Sequence, residues 1–149
     1  MKERLILAVD DNTSNLTVIK TILEKSDFSF LTATGGAEAL ETAELAQPDM
    51  ILLDVKMPGM DGFETLERLK VSEKTAHIPV IFLTADTDVK SMVKGFELGA
   101  ADYVTKPFKA VELRSRMQAH LDLAAKSEII DKKSNEYKEL IHILCHDLS

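Results

Sequence analysis

The chain of 149 residues has a formal net charge of −7, and 45% of its residues are hydrophobic and 29% charged. These values are typical of one globular domain with room for a short additional segment. The negative charge argues against a nucleic-acid-binding protein, because phosphate contacts need clustered Lys and Arg side chains. No apolar stretch is long enough to span a membrane, and Cys145 is the only cysteine, so we expect a reduced, cytoplasmic protein.

Short apolar runs alternate with amphipathic runs along most of the chain. The apolar runs predict strands at Leu5–Val9, Phe28–Ala33, Met50–Leu53, Pro79–Leu83 and Tyr103–Val104. The amphipathic runs predict helices at Ser14–Glu24, Ala37–Ala46, Phe63–Val71 and Val89–Leu98, and a further helix that starts near Lys109. Asn12 or Thr13 would cap the first helix, and Gly99 would end the fourth. This alternation predicts an α/β fold, a parallel sheet with helices on both faces.

The segment after Lys109 contains no Gly, no Pro and no further strand pattern up to Ser149. Bulky apolar residues recur there every seven positions, at Leu123, Ile130, Tyr137 and Leu144. In a coiled coil, two positions of each seven-residue repeat form the seam, the apolar line along which the helices touch. The second of these positions holds His120, Ser127, Ser134, Ile141 and Leu148. The first three are polar, so the seam is continuously apolar only toward the end of the chain. The pattern predicts one long helix that pairs with a second copy as a coiled coil, with a frayed solvated tail as the alternative.

Polar residues follow four of the five predicted strands at the point where each strand ends. They are Asp10 and Asp11, Asp54, Thr84 and Lys106. Because the carboxyl ends of parallel strands share one edge of a sheet, we expect these side chains to lie close together. Each alone has a simpler explanation as a helix cap, a turn residue or a solvated charge. Together they suit a divalent cation beside a phosphoryl group on a carboxylate.

A carboxylate can attack phosphorus and form an acyl phosphate, and a divalent cation offsets the repulsion between the two anions. Asp11 and Asp54 suit direct ligation of Mg²⁺, whereas Asp10 could act through water. A main-chain carbonyl near Lys56 could complete the metal site. Lys106 and the hydroxyl of Thr84 would each contact a phosphoryl oxygen.

Residues 4 to about 121 resemble the receiver domain of the two-component response-regulator family. The resemblance is carried by Val9-Asp10-Asp11-Asn12, by the segment from Leu53 to Gly62, by Phe82-Leu83-Thr84-Ala85 and by the segment from Gly99 to Phe108. It implies a flavodoxin-like (βα)5 doubly wound sheet of order 2-1-3-4-5. It also implies that Asp54 is the phosphoacceptor, that Asp10 and Asp11 are the acidic pair at Mg²⁺, and that Lys106 binds the phosphoryl group. A cis Lys106-Pro107 bond and a histidine kinase or phosphotransfer protein as partner are implied as well.

Thr84 and Tyr103 resemble the switch pair of this family. Phosphorylation would add roughly −1.5 to −2 charges at Asp54, and Thr84 would move toward the new oxygens. Tyr103 would then turn inward and change the face formed by the fourth helix, the fifth strand and the fifth helix.

The ending Asn135–Ser149 resembles the start of the dimerisation and phosphotransfer helix of sensor histidine kinases. His146-Asp147-Leu148 fits the phosphoacceptor motif, so His146 is a candidate second phosphoacceptor. We therefore divide the chain into a receiver at 1–121 and a helical linker with the start of a kinase helix at 122–149. The parent would be a receiver-containing histidine kinase, and this segment, without an ATP-binding domain, would not phosphorylate itself from ATP.

Two alternatives remain at this point. One is a stand-alone receiver that shuttles a phosphoryl group and uses its tail as a dimerisation stalk. The other is an aspartate-nucleophile phosphatase of the dehalogenase-like kind. That class places a second Asp two residues after the nucleophile, where this chain has Lys56, so the phosphatase is the weaker alternative.

Overall fold

The structure is a computed structural model that describes residues 4–85 and 88–125. Its sheet contains five strands, β1 (Leu5–Val9), β2 (Ser29–Ala33), β3 (Met50–Asp54), β4 (Val80–Thr84) and β5 (Asp102–Thr105). All neighbouring strands are parallel, and their order is β2-β1-β3-β4-β5. The predicted fold class, a flavodoxin-like sheet of order 2-1-3-4-5, is confirmed.

The helices also follow the predicted pattern, with ends that move by a residue or so. They are α1 (Thr13–Glu24), α2 (Gly36–Ala46), α3 (Gly62–Val71) and α4 (Val89–Leu98), followed by α5, which runs from residue 110 to 125, where the description stops. Asn12 is the N-cap of α1, since its side chain accepts hydrogen bonds from the amides of Ser14 and Asn15. Gly99 ends α4 in a left-handed conformation with φ 109°, as predicted.

The core consists of two apolar clusters, one on each face of the sheet. Successive residues of a strand point to opposite faces, so Leu7 and Val9 of β1 lie in one cluster and Ile6 and Ala8 in the other. The first cluster includes side chains of α2 and α3, and the second includes side chains of α1 and α5. Strands covered on both faces read as continuous apolar runs, which explains why apolar runs in the sequence located them.

The course of the chain beyond residue 125 lies outside the described residues. The prediction of one long C-terminal helix is therefore met only as far as α5 extends, and the apolar repeat from Ile130 onward and His146 fall outside it. In the described ranges, no helix combines the length and the apolarity that a membrane crossing requires.

Candidate functional site

The sheet register brings the predicted site residues to one edge. Asp10 directly follows β1, Asp54 ends β3 and Thr84 ends β4, while Lys106 directly follows β5. Because these four strands are neighbours and parallel, their carboxyl ends open onto one crevice. The Lys106 amide donates to the Thr84 carbonyl at 2.8 Å, which ties the end of β5 to the end of β4.

Three carboxylates meet in this crevice. Asp10, Asp11 and Asp54 each offer an oxygen, and these oxygens lie within 4.8 Å of one another. Asp10 is fully buried, Asp54 is 6% exposed and Asp11 is exposed. A hard cation takes oxygen ligands, and Mg²⁺ in particular keeps several waters beside one or two carboxylates. A set of three carboxylates that is open to solvent on the Asp11 side therefore fits Mg²⁺.

Lys106 supplies the positive charge of the site. Its Nζ lies 3.0 Å from Asp10 Oδ2 and 3.2 Å from Asp54 Oδ1, and its side chain is 17% exposed. The second oxygen of Asp10 accepts from the Asn12 amide at 2.9 Å. Buried carboxylates persist only with such partners. The Lys106-Pro107 peptide bond is cis, as the resemblance implied.

The site nevertheless retains excess negative charge. Burial, and then the nearby charge of Asp10, raise the pKa of Asp54 to about 6, although Lys106 opposes them. A pKa above the ordinary value means that the folded protein disfavours the charged form of Asp54. A bound cation would relieve this cost, so the electrostatics and the donor set point to the same ligand.

Gly62 determines how closely the loop after β3 packs against the site. Its amide donates to the Val55 carbonyl at 2.8 Å. A Cβ at Gly62 would collide with the main-chain oxygen of Asp54 and would lie 2.8 Å from the Val55 Cα. In the sequence, Gly62 stands out only as part of the resemblance segment from Leu53 to Gly62, because a missing side chain leaves no pattern of its own.

Lys56 and Thr84, the other two predicted site residues, differ in exposure. The Lys56 side chain is exposed, two residues beyond Asp54, and it lines a cavity of about 490 Å³ with Met57, Phe63 and Ser91. Thr84 is only 3% exposed. The predicted roles of the Lys56 carbonyl as a metal ligand and of the Thr84 hydroxyl as a phosphoryl donor stay predictions.

Tyr103 lies in β5 beside β4, where its Cα pairs in register with that of Phe82. Its side chain points inward and is 5% exposed. Its ring centroid is 5.3 Å from that of Phe82 and 5.2 Å from that of Phe96. The phenol hydroxyl donates to the Ser91 carbonyl of α4 at 2.9 Å. The packing around Tyr103 therefore has room for the inward position that a switch tyrosine is expected to take.

A second charged network joins β5 to α5. Asp102 accepts two bonds from Arg116 Nη1, at 2.9 and 3.0 Å, and its Oδ2 lies 3.1 Å from His120 Nε2. Burial alone would raise the pKa of Asp102, but the bonds from the Tyr103 amide, His120 and Arg116 lower it below its usual value. Sequence periodicity assigned His120 to a helix–helix seam. That assignment is wrong, because α5 turns this side chain toward β5.

Comparison with known proteins agrees with this geometry. The family model of the response regulator receiver domain matches residues 6–118. The alkaline phosphatase synthesis transcriptional regulatory protein PhoP of Bacillus subtilis is 40% identical over 141 residues, which are 93% of this chain and 57% of PhoP. The chain spans about half the length of the curated relatives it matches.

Solved structures of other proteins share the fold. The Vibrio cholerae chemotaxis protein CheY4 is 31% identical, with a TM-score of 0.76 and coverage of 79% of this chain and 98% of CheY4. The receiver domain of the sensor histidine kinase PA1611 from Pseudomonas aeruginosa, with a magnesium ion coordinated in its active-site cleft, is 30% identical. Its TM-score is 0.76, and the match covers 81% of this chain and 99% of that domain. The chain belongs to the response regulator receiver domain family of two-component signalling.

Proposed function

We propose that the protein accepts a phosphoryl group on Asp54 and passes the resulting change to the face formed by α4, β5 and α5. The observation that carries this proposal is the position of Lys106 Nζ, 3.0 Å from Asp10 and 3.2 Å from Asp54. The proposed nucleophile Asp54, the proposed metal ligand Asp10 and the proposed phosphoryl-binding Lys106 are thus joined in one network. The donor is a histidine kinase or a phosphotransfer protein, the class of partner that receiver domains use.

In the reaction, an oxygen of Asp54 attacks phosphorus while the bond from phosphorus to the donor's nitrogen breaks and its electron pair leaves with the imidazole. Mg²⁺, when bound by Asp10, Asp11, Asp54 and the Lys56 carbonyl, would offset the negative charge that gathers there. Lys106 exchanges its contact with Asp54 for one with a phosphoryl oxygen. The three carboxylate oxygens within 4.8 Å support the metal assignment.

The signal then follows from the new charge and oxygens at Asp54. Thr84, at the end of β4, donates its hydroxyl to a phosphoryl oxygen. Tyr103, in the next strand, shifts its balance toward the inward position and thereby alters the packing of α4. Adjacency of β4 and β5 and the Tyr103 contact with the Ser91 carbonyl support this route.

The linkage to a kinase stays a prediction. The family match ends at residue 118, and His146 and Asn135–Ser149 lie outside the described residues. The curated relatives include transcriptional regulators such as PhoP, which gives the predicted kinase parent no support. A stand-alone receiver is compatible with the same site, and homodimerisation through the C-terminal helix is likewise a prediction only.

Intact-mass spectrometry with Mg²⁺ and acetyl phosphate tests the proposal. We expect one phosphoryl adduct on the wild-type chain and none on Asp54→Asn. Asp122→Asn is the matched control, because Asp122 is an exposed carboxylate on α5 and its substitution makes the same chemical change away from the crevice. An adduct that persists in Asp54→Asn would refute the assignment of the phosphoacceptor.

A further inference from the structure

Gly95 occupies the buried side of α4 directly beside the Tyr103 ring. A Cβ at position 95 would collide with the Tyr103 Oη, would lie 2.8 Å from its Cζ and would lie 3.1 Å from Phe82 Cε2. Glycine weakens a helix interior relative to alanine, so its presence here calls for a reason. Backbone conformation is not that reason, because the positive φ angles of described glycines are at Gly59 and Gly99.

The surroundings of the Tyr103 ring show what the missing side chain permits. The phenol hydroxyl donates to the Ser91 carbonyl at 2.9 Å, and this carbonyl is one helical turn before Gly95. In an α-helix the same carbonyl accepts the amide of the residue four positions later. The hydroxyl therefore lies against the helical turn from Ser91 to Gly95, in the space that the methyl group of an alanine at position 95 would fill.

Phe82 cannot retreat to make room for a larger residue at position 95. It is fully buried, and its opposite ring edge lies against Gly62, whose Cβ would be 3.0 Å from Phe82 Cε1. Tyr103 has an alternative, because Phe96 on its other side is 47% exposed and borders solvent. A steric conflict at position 95 would thus be relieved by moving the Tyr103 ring outward.

We infer that Gly95 is a positioning residue for Tyr103, whose inward position is possible only because position 95 carries no side chain. We call the space beside the Tyr103 ring that a Cβ at position 95 would fill the Gly95 slot. The link from this slot to phosphorylation rests on the proposed function, whereas the steric relationship between Gly95 and Tyr103 does not. The clashes of a Cβ at position 95 fall on Tyr103 and Phe82, not on Asp54 or Lys106. Gly95→Ala should therefore leave phosphoryl transfer intact and remove the inward state of Tyr103.

A double-mutant cycle tests the inference, because Gly95→Ala should change the urea midpoint of unfolding in opposite directions with and without Tyr103. In the chain that retains Tyr103, Gly95→Ala should lower the urea midpoint of unfolding, because the new methyl group meets the phenol. In the Tyr103→Ala chain the same substitution should raise the midpoint, because the collision with the phenol is gone, the 3.1 Å approach to Phe82 Cε2 is relieved toward the space that the phenol vacates, and the gain in helix propensity then prevails. Equal effects in both chains would refute the inference.

Two further variants keep this test decisive. Tyr103→Phe retains the ring but removes the hydroxyl that makes the closest contact, so Gly95→Ala should lower the midpoint less in that chain than with tyrosine. This comparison serves if Tyr103→Ala does not fold. Gly35→Ala is the matched control, because a Cβ at position 35 would have no heavy atom within 4 Å. This substitution should shift the midpoint little in any chain.

Fluorescence then reports the ring itself. The chain has two tyrosines and no tryptophan, so Tyr137→Phe leaves Tyr103 as the only reporter. We expect weak acrylamide quenching when Gly95 is retained and strong quenching in the Gly95→Ala variant. Weak quenching in both would overturn the inference even if acetyl phosphate still modifies Asp54. Absence of a phosphoryl adduct in both chains, with quenching that differs as expected, would instead reject the proposed function and leave the slot in place.

Discussion

Lys106 Nζ lies 3.0 Å from Asp10 Oδ2, although the two residues are 96 positions apart in the chain. The contact joins the first strand to the loop after the last one. Because Asp10 is fully buried, loss of this partner would leave a buried carboxylate without a counter-charge. The same ammonium lies 3.2 Å from Asp54, so one side chain is the cationic partner of both carboxylates.

Replacing Lys106 by Met should destabilise the domain at neutral pH in the absence of divalent cations. Both carboxylates would lose their positive partner, and an unsatisfied buried charge costs on the order of 1–3 kcal/mol or more. Added Mg²⁺ should restore more stability to this variant than to the wild type. Urea denaturation with and without Mg²⁺ measures both effects.

Lys56→Met is the control for that comparison, since Lys56 is an exposed lysine next to the site. It should change stability little in either condition. A loss in Lys56→Met as large as that in Lys106→Met would mean that general charge, not the contact with Asp10 and Asp54, determines the effect.

Asp54→Asn should stabilise the folded protein at pH 7.5. Burial and then Asp10 raise the pKa of Asp54 to about 6 from 3.8, so the folded state binds more protons than the unfolded state between these values. Stability from this group is therefore present at low pH and lost as pH rises toward 6. Removal of the charge should gain on the order of 2 kcal/mol at pH 7.5 and almost nothing near pH 4.

Urea titrations of wild type, Asp54→Asn and Asp122→Asn across that pH range would check this sign. The exposed control Asp122→Asn should show no comparable trend. A gain in Asp54→Asn that is as large at pH 4 as at pH 7.5 would contradict the electrostatic explanation.

Asp102 should behave in the opposite way. Although its burial raises the pKa, its bonds with the Tyr103 amide, His120 and Arg116 lower the pKa overall. Its contribution to stability is therefore present above pH 3.8, the ordinary pKa of the group, and is lost as the pH falls through the lower pKa that Asp102 has in the folded protein. Asp102→Asn should cost about 1 kcal/mol at pH 7, a modest value because Arg116 is partly exposed and such pairs are screened.

Thermal unfolding of Asp102→Asn against wild type at pH 7 and pH 3 would measure this difference. The gap between the two proteins should narrow in acid. An unchanged gap would show that packing of the side chain, and not its charge, accounts for the loss.

Gly62→Ala should impair both stability and phosphorylation. The new methyl group would collide with the Asp54 carbonyl oxygen, and overpacking of this kind costs about 1–3 kcal/mol. Because Gly62 N is bonded to the Val55 carbonyl, relief of the collision would move the loop that follows Asp54. The rate of adduct formation with acetyl phosphate should fall, whereas Gly35→Ala, with space for its Cβ, should leave that rate unchanged. Equal rates in the two variants would exclude a positioning role for Gly62.

Sequence reasoning predicted those features that a local pattern carries. Apolar runs located the strands, and the polar residues at their ends, such as Asp54 and Lys106, identified the crevice, since parallel strands must end together. The motif resemblance supplied the strand order and the cis bond. These predictions succeeded because both faces of the sheet are covered, which leaves a continuous apolar signal.

What the sequence did not predict depends on contacts between distant residues. Gly62 and Gly95 matter through side chains that they lack, so no periodicity marks them. His120 was placed in a seam by a seven-residue repeat, yet its neighbour is Asp102, 18 positions away. A repeat of apolar positions cannot distinguish a helix that packs on a sheet from one that packs on a second helix.

Reduction of the phosphorylated protein with borohydride, followed by peptide mass mapping, tests the phosphoacceptor most directly, because borohydride converts an acyl phosphate on aspartate to homoserine. After treatment with acetyl phosphate and Mg²⁺, we predict homoserine at position 54, and none there when Mg²⁺ is chelated. Homoserine at Asp10 or Asp11 in place of Asp54, or equal conversion without Mg²⁺, would contradict the proposed chemistry.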